Sequence, residues 1–393
     1  MDLLNRIREE QIENTLDASV QPSDSVFEDA ADDVPDGMVF ETSGSSGSPK
    51  RIPYGDIERV VGPIAECLGL AGFEDEVILN LGAPRPHPTG WGLREAAPRL
   101  DSRATNGHFK DYRTVIENGS AENVTAVFGV PSVTEAIGAE IAATDGPLSD
   151  VFPNVELIGT AGDLLTANRR ETLTEMWGAD TVREMYGASE FMGIAAAVDD
   201  TRKLVPLLNR FVLEMIPDDD PDSILDIRDV VGERRGSVLI TDPSRETVDL
   251  TRYRIGDKVA VYEGEDLPRI TVLGREDDSI NLAGALLYPS QIHEAIRATF
   301  GAGTDWVAKV TDREHPKVDF YVIDEEEDTE AFIQDVLERN GPVREAYRDV
   351  GVIKRIDVHY PDSREAVPGL DGTEGIKTQH VVFGDSYTGR QNC

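Results

Sequence analysis

Lysine is scarce in this chain. Eight lysines stand among 393 residues, and with arginine the basic total reaches only 38 against 75 acidic residues, a formal net charge of −37. A surface so acidic repels a polyanion, which excludes a phosphate-tracking groove and leaves nucleic acid out of the expected partners. Cysteine is almost absent: Cys67 and Cys393 alone supply neither a disulfide framework nor a thiolate zinc site, which points to a reducing cytoplasm. Nowhere do about 18 apolar residues run together, the length a membrane-crossing helix needs. The opening "MDLLNRIREEQIENTLDASV" has no apolar core flanked by positive charge. The expectation is a cytoplasmic protein with no membrane partner.

What is present describes a folded globule. The hydrophobic content is 39%, in regular segments, which argues against an acidic interaction tail. An acidic surface that prefers Arg to Lys fits a halophilic setting, where salt screens the repulsion. The length favours two domains. Residues 1–40 read as an acidic lead-in: an amphipathic helix, then an Asp/Pro-rich stretch. From 41 to about 200, strand-like runs ("EVILNLG", "VTAVFGVP", "VELIGTAG", "TVREMYGA") alternate with helical patterns ("DIERVVGPIAECLGL", "PSVTEAIGAEIAA", "TANRRETLTEMW"), as in a largely parallel sheet covered by helices. After about 204 short strands dominate, and beyond "GRED" the pattern changes again to a small α+β block. The expected fold is α/β: a large domain at 41–275 with mixed or parallel sheets covered by helices plus a β-rich subdomain, then a small mobile α+β lid at 276–393.

The stretch "ETSGSSGSPKRIPY", residues 41–54, carries the first chemical signal. Gly44 and Gly47 let the backbone approach a ligand closely and offer successive N–H groups. Thr42, Ser43, Ser45, Ser46 and Ser48 add hydroxyl donors and Lys50 a point charge, a set suited to phosphates. The spacing matches neither the Walker loop nor the dinucleotide fingerprint. A plain flexible turn is the competing reading.

The stretch "TSGSSGSPK" resembles the phosphate loop of the adenylate-forming superfamily of acyl-CoA synthetases, aryl-CoA ligases and adenylation domains. Four further segments resemble that family in its order: "PHPTGWG" at 86–92, "MYGASEF" at 185–191, "RYRIGDKV" at 252–259 and "GREDDSINLAGALLYPSQIHEAI" at 274–296. The "YPSQI" ending is similar to the phenylacetate-CoA ligase branch. The resemblance implies ATP, Mg²⁺ and coenzyme A as cofactors and a small, aryl-type organic acid as substrate. It implies an acyl-adenylate intermediate and transfer to coenzyme A; a non-CoA acceptor, or a binding protein that has lost the chemistry, stays open. A homodimer is among the expected assemblies.

The same resemblance distributes roles. Thr42, Ser43, Gly44, Ser45, Ser46, Gly47 and Lys50 would serve the β- and γ-phosphates. Glu190 would hold Mg²⁺, Tyr186 would lie near adenine with Gly187 making room and Ser189 beside them, and Asp257 with Arg275 would meet the ribose. His87 would gate the acyl site, Asp277 would be the hinge, and Lys377 in "TEGIKTQHVV" would be the catalytic lysine. By residue chemistry alone each has a plainer reading: core packing for Tyr186, a helix start for Glu190, a turn for Asp257, a rigid loop for His87 and a surface lysine for Lys377. Three departures stand out from the family pattern. Only about 40 residues precede the phosphate loop, Asn281 replaces a frequent Lys, and zinc-type cysteines are missing.

Overall fold

The structure is a computed structural model that describes residues 19–21, 25–27, 38–41, 50–163, 165, 167–276, 280–282, 285–301, 304–311, 317–325, 328–349, 353, 355–368, 370 and 380–383. The chain divides into two compact units, Met1–Leu165 with Leu173–Val272, and Thr166–Thr172 with Leu273–Cys393.

The first unit opens with a hairpin of β1 (Met38–Glu41) and β2 (Arg51–Tyr54), whose register pairs Glu41 with Arg51 and so brackets the Ser/Gly-rich stretch. Next come β3 (Val77–Asn80), β4 (Arg103–Ala104), β5 (Ala126–Gly129), β6 (Leu157–Ala161), β7 (Thr181–Ala188), β8 (Met192–Ala196) and β9 (Val205–Pro206). They form one sheet in the order β4-β3-β5-β6-β7-β8-β9. The pairings through β7 are parallel, and β8 and β9 return antiparallel. Parallel strands need covering on both faces, and alternation along each strand supplies it. Ile78, Ala126 and Leu157 enter one core with Phe73 and Phe128, while their neighbours Leu79, Val127 and Ile158 enter a second with Trp177. Helices Pro88–Ala96 and Pro131–Thr144 both begin on proline, whose fixed φ suits a first helical turn and whose missing N–H costs nothing there.

A second sheet contains β10 (Val212–Pro217), β11 (Leu225–Asp226), β12 (Glu233–Thr241) and β13 (Tyr253–Tyr262) of the same unit and β14 (Arg269–Arg275), the strand in which the first unit ends, in the order β11-β10-β12-β13-β14. The apolar run "LVPLLNRFVLEMI", residues 204–216 at the start of the part where short strands are expected, is divided between two sheets. Its start, Val205–Pro206, pairs with β8 in the seven-stranded sheet. A tight turn then intervenes, in which the N–H groups of Arg210 and Phe211 both donate to the Leu207 carbonyl.

The second unit has its own core. Here β15 (Ile280–Leu282) and β16 (Ala285–Leu287) form a hairpin, and β17 (Trp306–Thr311), β18 (Lys317–Val322), β19 (Arg355–His359) and β20 (Val381–Phe383) form a sheet in the order β19-β18-β17-β20. Alternate residues Trp306, Ala308 and Val310, with Val318, Phe320 and Val322, share one apolar cluster with Phe332 of helix Thr329–Arg339 and Ile292 of helix Pro289–Phe300. The α+β character expected for this block is what folds.

Candidate functional site

The residues singled out at Thr42, Ser43, Gly44, Ser45, Ser46 and Gly47, the hinge Asp277 and Lys377 lie outside the described residues. Lys50 stands directly before β2 and is half-buried. Arg275 is the last residue of β14.

Tyr186, Gly187, Ser189, Glu190 and Asp257 gather where the two sheets of the first unit meet. β7 ends at Ala188, and the turn to β8 carries Ser189 and Glu190. β13 supplies Tyr253 and Asp257, four residues apart and both buried, on either side of Gly256 (φ 84°), where the register against β12 shifts. Two hydrogen bonds then join the motifs with reversed roles. The Tyr186 hydroxyl donates to Asp257 Oδ2 at 2.6 Å, and the Tyr253 hydroxyl donates to Glu190 Oε1 at 3.3 Å. Glu190 is 7% exposed and Asp257 8%, so both carboxylates are held where a donor is needed. No described residue donates to Glu190 Oε2. A buried carboxylate with one oxygen still available offers the hard donor that Mg²⁺ prefers, so the residues present fit that ion.

Gly187 makes room, though for the chain itself. A Cβ there would lie 2.1 Å from the Met192 carbonyl oxygen, because β8 folds back against it at a register shift. Met192 adopts φ 65° at that bend.

His87 caps helix Pro88–Ala96 and is half-buried. Its Nδ1 lies 3.1 Å from the Glu41 carbonyl oxygen, which can only accept, so Nδ1 carries the proton. The Glu41 amide in turn donates to the Pro86 carbonyl at 3.0 Å. The "PHP" segment thus fastens the residue that enters the Ser/Gly-rich stretch. Trp91 packs against Phe40 of β1 at 5.5 Å, with Arg85 over both rings.

Three participants were not picked out from the sequence. Tyr253 lay inside a quoted motif without a role. Tyr54 closed the quoted stretch 41–54 without a role, and Arg245 lay outside every motif, although an arginine in the polar connection between β12 and β13 was a signal available to be weighed. The Tyr54 hydroxyl donates to the Ser189 carbonyl at 2.8 Å, and its pKa is pushed up to about 12, chiefly by burial and against the opposing pull of Arg245. Tyr54 therefore stays a neutral donor across the physiological range.

No protein-family model and no curated protein matches the chain. Solved structures do. 2-Hydroxyisobutyryl-CoA ligase in the postadenylation state with 2-HIB-AMP superposes with a TM-score of 0.67 at 17% identity, over 97% of this chain and 85% of that one. The same ligase in an open conformation with 2-HIB-AMP and CoA gives 0.62, also at 17% identity, over 96% and 86%. ATP-bound MatB from Rhodopseudomonas palustris gives 0.59 at 16% identity, over 83% of this chain and 64% of that one. The chain therefore has the fold of the AMP-forming acyl-CoA ligases.

Proposed function

We propose that the protein is an ATP-dependent, AMP-forming carboxylate ligase that acts on a small organic acid, aryl acids of the phenylacetate type first, and passes the acyl group to coenzyme A. The observation that carries this reading is the pairing of Tyr186 with Asp257 and of Tyr253 with Glu190, which gathers two separate motifs into one buried cluster on a fold shared with acyl-CoA ligases. In the first step a carboxylate oxygen of the acid attacks the α-phosphorus of ATP, and the bond to pyrophosphate breaks. In the second the thiol sulfur attacks the acyl carbonyl, loses its proton to solvent, and AMP leaves.

The chain's own residues bind and orient the reactants. Asp257 accepts from the ribose hydroxyls with Arg275 beside it, and Tyr186, fixed by Asp257, borders the adenine with Gly187 and Ser189. The stretch from Thr42 to Lys50 donates to the β- and γ-phosphates, and His87 borders the acid. Glu190 is the residue that would hold Mg²⁺, which neutralises phosphate charge when bound. Lys377 meets the charge that builds between the acid and the α-phosphate, and Asp277 is the pivot of a lid formed by the second unit. Support for a two-step cycle comes from 2-hydroxyisobutyryl-CoA ligase, known in postadenylation, open and thioesterification states.

Pyrophosphate release with ATP, Mg²⁺ and a panel of acids tests the reading. Acid-dependent release is expected, with thioester forming only when CoA is added. Release with no acid in an aryl and small-aliphatic panel would overturn adenylation, and acid-dependent release with no CoA-dependent product would move the acceptor away from CoA.

A further inference from the structure

We propose that Arg245 is a positioning residue that sets the direction of the Glu190 side chain by gripping the main chain of its turn; this rests on the reading above, in which Glu190 holds Mg²⁺. Arg245 comes from the connection between β12 and β13. Its Nη1 donates to the Glu190 carbonyl at 3.2 Å, its Nη2 to the Pro53 carbonyl at 2.6 Å and its Nε to Thr247 Oγ1 at 3.1 Å. Thr247 Oγ1 donates to that same Pro53 carbonyl at 3.0 Å. The guanidinium carbon lies 3.6 Å from the centre of the Tyr54 ring, whose hydroxyl holds the Ser189 carbonyl at 2.8 Å.

Two consecutive carbonyls, those of Ser189 and Glu190, are thus held by two side chains that stack on each other. Among the described residues the guanidinium donates to no carboxylate. A planar fork of fixed donors suits the task, because two carbonyls at a set angle need two directed N–H groups. With the peptide planes pinned by Tyr54 and Arg245 and the carboxylate tip by Tyr253, Glu190 is held at both ends. Groups of this outer layer orient the residue that meets the metal. Pro53 and Tyr54 also belong to β2, the strand that leaves the Ser/Gly-rich stretch, so one guanidinium ties the segment assigned to phosphate to the segment assigned to metal.

The test is Mn²⁺ binding to the protein–ATP complex, followed by electron paramagnetic resonance, in the parent, Arg245→Met, Arg245→Lys, Glu190→Gln and the double variant Arg245→Met/Glu190→Gln. Arg245→Met is expected to weaken Mn²⁺ binding roughly 10- to 100-fold, the usual loss when an outer-layer partner of a metal ligand is removed. ATP affinity in EDTA should not change. Arg245→Lys should recover part of the loss, because an ammonium can serve one carbonyl but not both. In the Glu190→Gln background, Arg245→Met should add nothing. Unaltered Mn²⁺ affinity in Arg245→Met, an undiminished further loss in the Glu190→Gln background, or an equal loss of metal-free ATP affinity would each overturn the proposal. If Arg245→Met does not fold, Tyr54→Phe, which releases the neighbouring carbonyl, decides in the same assay by the same criteria. A parent that takes up no Mn²⁺ with ATP would overturn the Glu190 reading itself, a result distinct from an active parent whose Arg245 variants are unaffected.

Discussion

Tyr186 and Asp257 meet at 2.6 Å, 71 residues apart in the chain, with the phenol donating to Oδ2 and both side chains buried. One residue comes from the seven-stranded sheet and the other from the five-stranded sheet, so this bond joins the two layers of the first unit at the place where the candidate site lies. Asp257→Asn keeps an amide oxygen for the Tyr186 hydroxyl and should change folding stability by no more than about 1 kcal/mol, whereas Asp257→Ala strands a buried donor and should cost about 1–3 kcal/mol. Both should weaken ATP binding. Urea titration beside ATP calorimetry separates the two effects, and an Asn variant that binds ATP as the parent does would remove Asp257 from nucleotide recognition.

Gly187→Ala is expected to destabilise the first unit by about 1–3 kcal/mol, because overpacking against a main-chain atom cannot be relieved by a rotamer change. The added methyl would sit 2.1 Å from the Met192 oxygen, so β8 must shift. A urea midpoint equal to that of the parent would show that the shift is free.

Tyr54 predicts a feature of alkaline unfolding. Its pKa of about 12 in the folded state exceeds the ordinary value of 10.0, so above pH 10 the unfolded chain releases a proton that the folded chain retains. The stabilising contribution is complete below pH 10 and is lost as pH rises towards 12, by the order of 2 kcal/mol over that interval. Tyr54→Phe should flatten this part of the stability profile. Identical slopes in parent and variant, measured by urea titration between pH 10 and 12, would contradict the assignment.

The charge of −37 predicts a rise of melting temperature with KCl, since screening reduces repulsion among exposed carboxylates. Calorimetry from dilute buffer to molar salt checks it. A flat profile would remove the halophilic reading.

Lys377→Ala should slow adenylate formation by on the order of a hundredfold or more, the loss that follows removal of one transition-state donor. Thioester formation from pre-made adenylate should stay near the parent rate. Rapid-quench measurement of both half-reactions distinguishes this from a general loss.

Much of the fold was legible because secondary structure obeys short-range rules. The runs around Ile78, Val127 and Ile158 are apolar on both faces, as strands covered from two sides must be, and Pro131 and Pro289 mark helix starts, whereas the helix Pro88–Ala96 begins in a segment read as a rigid loop. The division of "LVPLLNRFVLEMI" was not legible, because a tight turn at Leu207 leaves little trace in an apolar pattern.

The sequence by itself determined the acidic character, the order of strands and helices, and the motifs that contain Tyr186, Glu190 and Asp257, because all of these are properties of residues close together in the chain. Tertiary structure alone decided which group meets which. Arg245 reaches Pro53 across 192 residues, joining the β12–β13 connection to β2, which belongs to a separate two-stranded sheet. Tyr253 serves Glu190 while Asp257 serves Tyr186 because β13 passes where its buried side chains meet the end of β7 and its turn. Such partners are set by where whole sheets pack, and side-chain periodicity within a segment carries no information about the element opposite it.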